Sequence, residues 1–160
     1  MKELLDNLPL IHTDHKLDFL IDTCFFVYIF EHNKEKDFHK FLEENDCGIT
    51  SFNAEELMHI EHKINDHTRN RMRKFFHNEK RFFLLEIPVH PGSKEQELNF
   101  VRLVIPDLDK TEHDPSDAVL LAAAIKIGAN VLTRDKHDIF NSRLKNFLEK
   151  NGISVYNKFV

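Results

Sequence analysis

The stretch that most constrains this chain is residues 113–136, HDPSDAVLLAAAIKIGANVLTRDK. Its run AVLLAAAI is apolar without a break, so a helix made from it has no wet face and must lie between other elements. Pro115 suits a first helical position, and Gly128 a left-handed stop. The ANVLT that follows reads as a buried strand. A buried helix feeding a short apolar strand points to a parallel sheet covered on both faces. Carboxylates stand at the edges of this oily segment, with Asp114 and Asp117 where the helix begins and Asp135 just past the strand.

The rest of the chain repeats the alternation. KLDFLID predicts a short strand ending at Asp22, TCFFVYIFEHN and KDFHKFLEEN predict two helices, and CGIT a second strand. NAEELMHIEHKINDHTRNRMRKFF predicts one long helical stretch, with Leu57, Ile60 and Ile64 at one-face spacing. RFFLLEIPV suits a strand, SKEQELNFVRLV and SRLKNFLEKNG suit helices, and ISVY a last strand. No repeat or linker-like tract divides the chain, so residues 17–160 are expected to form one α/β domain. Residues 1–16 are expected to be an N-terminal extension, either a docking helix or a loose arm.

Composition narrows the class. A length of 160 residues suits one domain that buries roughly 70% of its unfolded surface. Fifteen Phe and no Trp imply a core built on phenylalanine. The longest apolar runs are too short to span a bilayer, and the first residues lack the apolar core of a signal peptide. Cys24 and Cys47 form no metal-type pair, and Cys24 sits inside an apolar run, so a reduced, cytoplasmic protein without membrane attachment is expected. A net charge of −5 opposes a surface coated for polyanions. Residues 67–81, HTRNRMRKFFHNEKR, depart from that average with six Lys or Arg against one Glu. Taken alone, a solvated helix face accounts for them.

In parallel α/β sheets, ligands gather beyond the carboxyl ends of the strands. Asp22 follows FLI, Asp135 follows VLT after one Arg, and Glu56 and Asp117 fall in the first turns of their helices. Four acids from four segments are thus expected at one sheet edge. Each of three has a structural alternative. Asn53 is a candidate N-cap with Glu56 as its capping-box partner, Asp114 a candidate N-cap with Asp117 at the third helical position, and Asp135 a turn residue. Asp22 joins an apolar strand to CFFVYIF, where burial is expected and no capping pattern is needed. Clustered carboxylates repel one another, and a divalent cation relieves this; Mg²⁺ and Mn²⁺ prefer hard oxygen ligands.

These residues resemble the PIN-domain ribonucleases, which include the VapC-like toxin nucleases. The resemblance runs through FLIDTCFF, ITSFNAEEL and DPSDAVLLAAAIKIGANVLTRD, across residues 17–140 in family order. It implies a three-layer α/β/α sandwich with a central parallel sheet and an acidic cleft. It also implies hydrolysis of RNA phosphodiesters with Mg²⁺ or Mn²⁺, leaving 5′-phosphate and 3′-hydroxyl ends. Carried over residue by residue, the family acids fall on Asp22, Glu56, Asp117 and Asp135, as both catalytic and metal-holding groups. Glu56 would complete the ligand shell and orient or deprotonate the attacking water. Thr23 and Thr133 match small hydroxyl positions beside the first and last acids, and Asp114 is a cap and outer ligand. The resemblance further implies a homodimer and, for the toxin members, a small antitoxin partner, although this chain is longer than those toxins.

Beside such a cleft the basic run takes on a second meaning, with Arg69, Arg71, Arg73 and Lys74 gripping the RNA backbone. The rival from another class is a PIN-like module that binds RNA or protein without cutting. Other metal readings lack their motifs. EELMH carries one Glu-x-x-His where a di-iron bundle needs two, no His-Glu-x-x-His exists for zinc, and no Gly-rich phosphate loop is present.

Overall fold

The computed structural model describes residues 1–107, 114–134 and 142–160. Among them, six strands form one all-parallel sheet in the order β1-β4-β3-β2-β5-β6. These are β1 (Leu10–Ile11), β2 (Phe19–Ile21), β3 (Cys47–Thr50), β4 (Phe82–Leu85), β5 (Asn130–Leu132) and β6 (Val155–Tyr156). The helices are α1 (Lys2–Asp6), α2 (Thr23–Glu31), α3 (Glu35–Glu44), α4 (Ser51–Ile60), α5 (Asp66–Asn78), α6 (Lys94–Val104), α7 (Pro115–Ile127) and α8 (Ser142–Lys150). The fold is an α/β/α sandwich, as the alternation of strands and helices requires.

Alternation along the strands divides the core in two. In β2, Leu20 joins a cluster with Phe100, Val101, the α7 residues Ala118–Ala124, and Leu144 and Leu148 of α8. Phe19 and Ile21 point the other way, into a cluster with the phenylalanines of α2, α3 and α5. Most of the fifteen phenylalanines meet there: Phe26 stacks on Phe76 with centroids 5.4 Å apart, and Phe38 on Phe75 at 5.1 Å. Helix α7 is buried along its length except at Pro115–Asp117, Ile125 and Lys126, as its apolar run demands. Gly128 ends it with φ at 73°.

One expectation changes. The long helix expected from residue 53 is broken: α4 ends at Ile60, a 3₁₀ turn covers Glu61–Lys63, and Asn65 caps a separate α5 by accepting from the Thr68 amide at 2.8 Å. The sequence Ile64-Asn65-Asp66 held that break, a capping signal hidden inside continuous apolar spacing. Residues 1–16 are integrated: Leu5 is buried, α1 packs on α5, and β1 extends the sheet beyond β4 in the register Leu10↔Leu84.

The central strands approach closely at Gly48, where a Cβ would stand 2.7 Å from the Phe83 carbonyl oxygen and 2.8 Å from Leu17 Cδ1. The backbone oxygen cannot move aside without breaking the β3–β4 ladder, in which Gly48 pairs with Phe83. Gly48→Ala is therefore expected to cost about 1–3 kcal/mol through overpacking. A lowered urea midpoint at unchanged slope checks this, and an unchanged midpoint contradicts it.

Candidate active site at the carboxyl edge of the sheet

The sheet order reverses at β2: β3 and β4 lie on one side, β5 and β6 on the other. The crevice between β2 and β5 is the switch point at which α/β sheets bind ligands. Asp22 leaves β2 there, its backbone amide donating to the Leu132 carbonyl at 2.9 Å. It is also the N-cap of α2, its Oδ1 accepting from the Thr23 amide at 2.8 Å. The expectation that Asp22 needed no capping role is thus corrected; the residue is buried and capping at once.

A cage of donors holds the Asp22 carboxylate. Thr133 Oγ1 donates to Oδ2 at 2.7 Å, Cys24 Sγ donates to Oδ2 at 3.3 Å, and Asn53 Nδ2 donates to Oδ1 at 3.3 Å. The same Asn53 amide donates to Glu56 Oε1 at 2.9 Å, so one nitrogen bridges two carboxylates. Thr23 Oγ1 donates to Glu56 Oε1 at 3.4 Å and to the Asn53 carbonyl at 3.2 Å. Asn53 is not the N-cap of its helix, as the sequence suggested. Thr50 is, accepting from the Asn53 amide at 3.0 Å while its hydroxyl donates to Asn53 Oδ1 at 2.7 Å. The helix therefore starts earlier and sets Glu56 in its second turn, which carries the side chain into the crevice. Glu55, its neighbour, instead meets His90.

Asp117 enters from the first turn of α7, which Asp114 caps by accepting from the Ser116 amide at 2.9 Å. Asp22, Thr23, Cys24, Glu56, Ser116, Asp117 and Arg134 line one cavity of about 380 Å³. Asp135, the fourth expected acid, lies outside the described residues. Arg69, Arg71, Arg73 and Lys74 sit on α5 and do not line the cavity. Arg69 pairs with Asp66, Arg71 with Glu35 and the Phe30 carbonyl, and Arg73 lies 4.0 Å from Glu61.

Three contributors escaped the sequence reading. Asn53 looked like a cap, and Cys24 like a core residue. Glu97, on α6, carried no signal beyond an acidic first turn, yet it is buried and accepts from Ser116 Oγ at 2.8 Å.

Burial first and the Asp22 charge second shift two groups of the site upward. Burial and then the nearby Asp22 charge raise Glu56 to about 7, against the pull of its hydrogen bonds from Asn53 and Thr23. Burial, followed by the Asp22 charge, raises the Cys24 thiol to about 12, so it stays protonated and donates. Among the described residues no group of three or more His, Cys, Asp or Glu side chains stands ready as a metal site. The acids lining the cavity are nevertheless hard oxygen donors, the kind that Mg²⁺ or Mn²⁺ takes.

The family model for the PIN domain matches residues 19–142, most of the chain. The chain belongs to the PIN domain family. PIN domains are generally nucleases, and PIN nucleases generally use divalent metal ions. This PIN domain is similar in fold to a chain in the crystal structure of VapBC2 from Rickettsia felis, solved bound to a DNA fragment from their promoter. The TM-score is 0.57 at 15% identity, over 88% of this chain and 98% of that one. Comparison with curated proteins gives no match. Among the described residues, no helix of this PIN domain is long and apolar enough to cross a membrane.

The raised Glu56 carboxyl has a stability consequence in metal-free protein. A folded-state value of about 7 above the ordinary 4.5 means the stabilisation is full below about 4.5 and lost as pH rises through about 7. Glu56→Gln removes that titration. With chelator present, its melting temperature is expected to gain on the wild type between about pH 5 and about pH 8. A difference that does not change with pH would show that the Glu56 carboxyl is not raised.

Proposed function

We propose that this PIN domain is a divalent-metal-dependent endoribonuclease. The observation that carries the reading is the convergence of Asp22, Glu56 and Asp117 from three separate segments onto one cavity at the switch point of the sheet. Asp135 completes the set in this proposal. Asp22, Asp117 and Asp135 would hold Mg²⁺ or Mn²⁺, directly or through water, with Glu56 closing the shell. When bound, the metal offsets the acids' mutual repulsion and stabilises negative charge building on the phosphate oxygens.

The chain's own residues do the positioning. Thr133, Cys24, Asn53 and the Thr23 amide fix the Asp22 carboxylate so that its orientation costs nothing on substrate arrival. Asn53 and Thr23 hold Glu56 by Oε1, and in this reading Glu56 orients the attacking water and takes its proton. The phosphodiester then breaks between phosphorus and the 3′ oxygen, leaving 5′-phosphate and 3′-hydroxyl ends. Asp114 supports Asp117 by starting its helix. Arg69, Arg71, Arg73 and Lys74 serve as an outer contact for the RNA backbone, led by Lys74 because Arg69 and Arg71 hold carboxylates and Arg73 lies 4.0 Å from that of Glu61.

The decisive experiment uses single-stranded RNA with Mg²⁺ or Mn²⁺. Wild type is expected to cut it, chelator to stop the cutting, and Asp22→Asn to lower the rate by about a thousandfold. Equal rates in wild type and Asp22→Asn would leave the reading as a non-cutting RNA-binding or protein-binding module.

The likeness to VapBC2 also supports a toxin role with a small antitoxin as partner, and the proposal takes a homodimer as the acting form from the family resemblance alone. Expression of the chain in a bacterial host is then expected to arrest growth, with relief by Asp22→Asn. Growth at the normal rate with intact nuclease activity would leave a ribonuclease that is not a toxin.

A further inference from the structure

Arg134 is the one cation among the described residues lining the acidic cavity, yet it pairs with none of the acids there. Its guanidinium lies over the Tyr28 ring, 4.2 Å from the centroid, and Nη1 donates to the Asn157 carbonyl at 3.0 Å. Its backbone amide donates to Cys24 Sγ at 3.3 Å, which ties the main chain to the start of α2. The Arg134 cation is therefore held at both ends by neutral groups. Asn157 takes one of its five N–H donors, and stacking on Tyr28 uses a face rather than an edge. Its remaining edge donors are open at the lip of a cavity whose floor is carboxylate.

This arrangement differs from that of the other arginines in the region. Arg69, Arg71 and Arg73 each face a carboxylate, of Asp66, Glu35 and Glu61, and Arg81 faces Glu79. A cation meant only to balance the cleft would be drawn into contact with Asp22, Glu56 or Asp117. The ring of Tyr28 and the Asn157 carbonyl instead keep it at the rim, so its charge is available to an incoming anion. A planar guanidinium with open edge donors matches a phosphate diester, which it can bind through two parallel N–H···O contacts. The stack with Tyr28 lowers the conformational entropy lost when it does so.

We propose that Arg134, positioned by Tyr28, is a phosphate subsite of the cleft. It would bind the RNA backbone beside the scissile bond, as a contact distinct from the α5 cations. The proposal rests on the ribonuclease reading for the identity of the substrate, though not for the existence of an anion site. Tyr28 is a positioning residue here, since it acts through the guanidinium and not on the substrate.

The test measures binding of a short fluorescein-labelled single-stranded RNA of mixed sequence across a salt series, in chelator, so that no cleavage occurs. Arg134→Ala is expected to weaken binding about tenfold. It should also reduce the slope of log K against log salt by about 0.7, the value for one lost phosphate contact on a single strand. Arg134→Lys is expected to keep the slope and lose part of the affinity. Tyr28→Leu should weaken binding, and Tyr28→Phe, which keeps the ring, should restore it. In steady-state cleavage, KM should rise more than kcat falls in Arg134→Ala. Circular dichroism melts of each variant establish that it is folded, and Arg134→Lys serves as the reading if the alanine variant is not. An unchanged affinity and salt slope in folded Arg134→Ala would overturn the subsite, even while Asp22→Asn still abolishes cleavage. Conversely, loss of slope in Arg134→Ala with no cleavage by wild type would keep the anion site and discard the nuclease.

Discussion

The site depends on keeping a buried carboxylate charged beside a second one. Asp22 sits at the mouth of a sheet whose neighbouring strands are apolar, and Glu56 shares a hydrogen-bond donor with it. Left alone, either group would protonate or push the helices apart. The chain answers with the amide at the start of α2, two hydroxyls, a thiol and a primary amide, drawn from α2, α4 and the residue after β5. Each donor comes from an element that the sheet order has already placed at the crevice. Fold and site are therefore one problem: the order β3-β2-β5 is what brings Thr50, Asp22 and Thr133 to the same edge.

Much of this was legible in the residues, for identifiable reasons. The α7–β5 unit announced itself because its apolar run admits one environment and its ends carry Pro115 and Gly128. The ends of β2 and β3 were visible as short apolar runs stopped by Asp22 and Thr50. What the sequence hid was tertiary. Asn53 and Thr50 are both competent caps, and nothing local chooses between them. Starting the helix at Ser51 turns Asn53 inward as the bridge between two acids, and only the position of α2 reveals that use. Cys24 likewise reads as one more apolar residue in CFFVYIF until the N-cap geometry turns its sulfur toward Asp22. The break between α4 and α5 was concealed because Leu57, Ile60 and Ile64 keep helical spacing across it.

The basic run of residues 67–81, four of whose cations are on α5, shows how composition and placement can diverge. Six cations in fifteen residues suggest a polyanion surface, but carboxylates on α3, α5 and the preceding turn take up much of that charge. Such pairs at partly exposed positions add little stability, typically below about 1 kcal/mol each. Their larger effect is to fix side chains against the neighbouring helices: Arg71 reaches the last turn of α2 through the Phe30 carbonyl. Meanwhile a single arginine outside the run, Arg134, stands at the cleft with its charge uncommitted.

The sheet closes at both margins with strands of only two residues, β1 on one side and β6 on the other. The amino-terminal segment is what shortens the first margin, since without it the four-residue β4 would present its hydrogen-bonding row to solvent. Such stubs offer a visiting backbone only a rung or two to grip, which disfavours fibril-like stacking and partner capture by strand addition. For the described residues, a lasting association is therefore better served by side-chain chemistry and shape than by backbone pairing at the sheet margins.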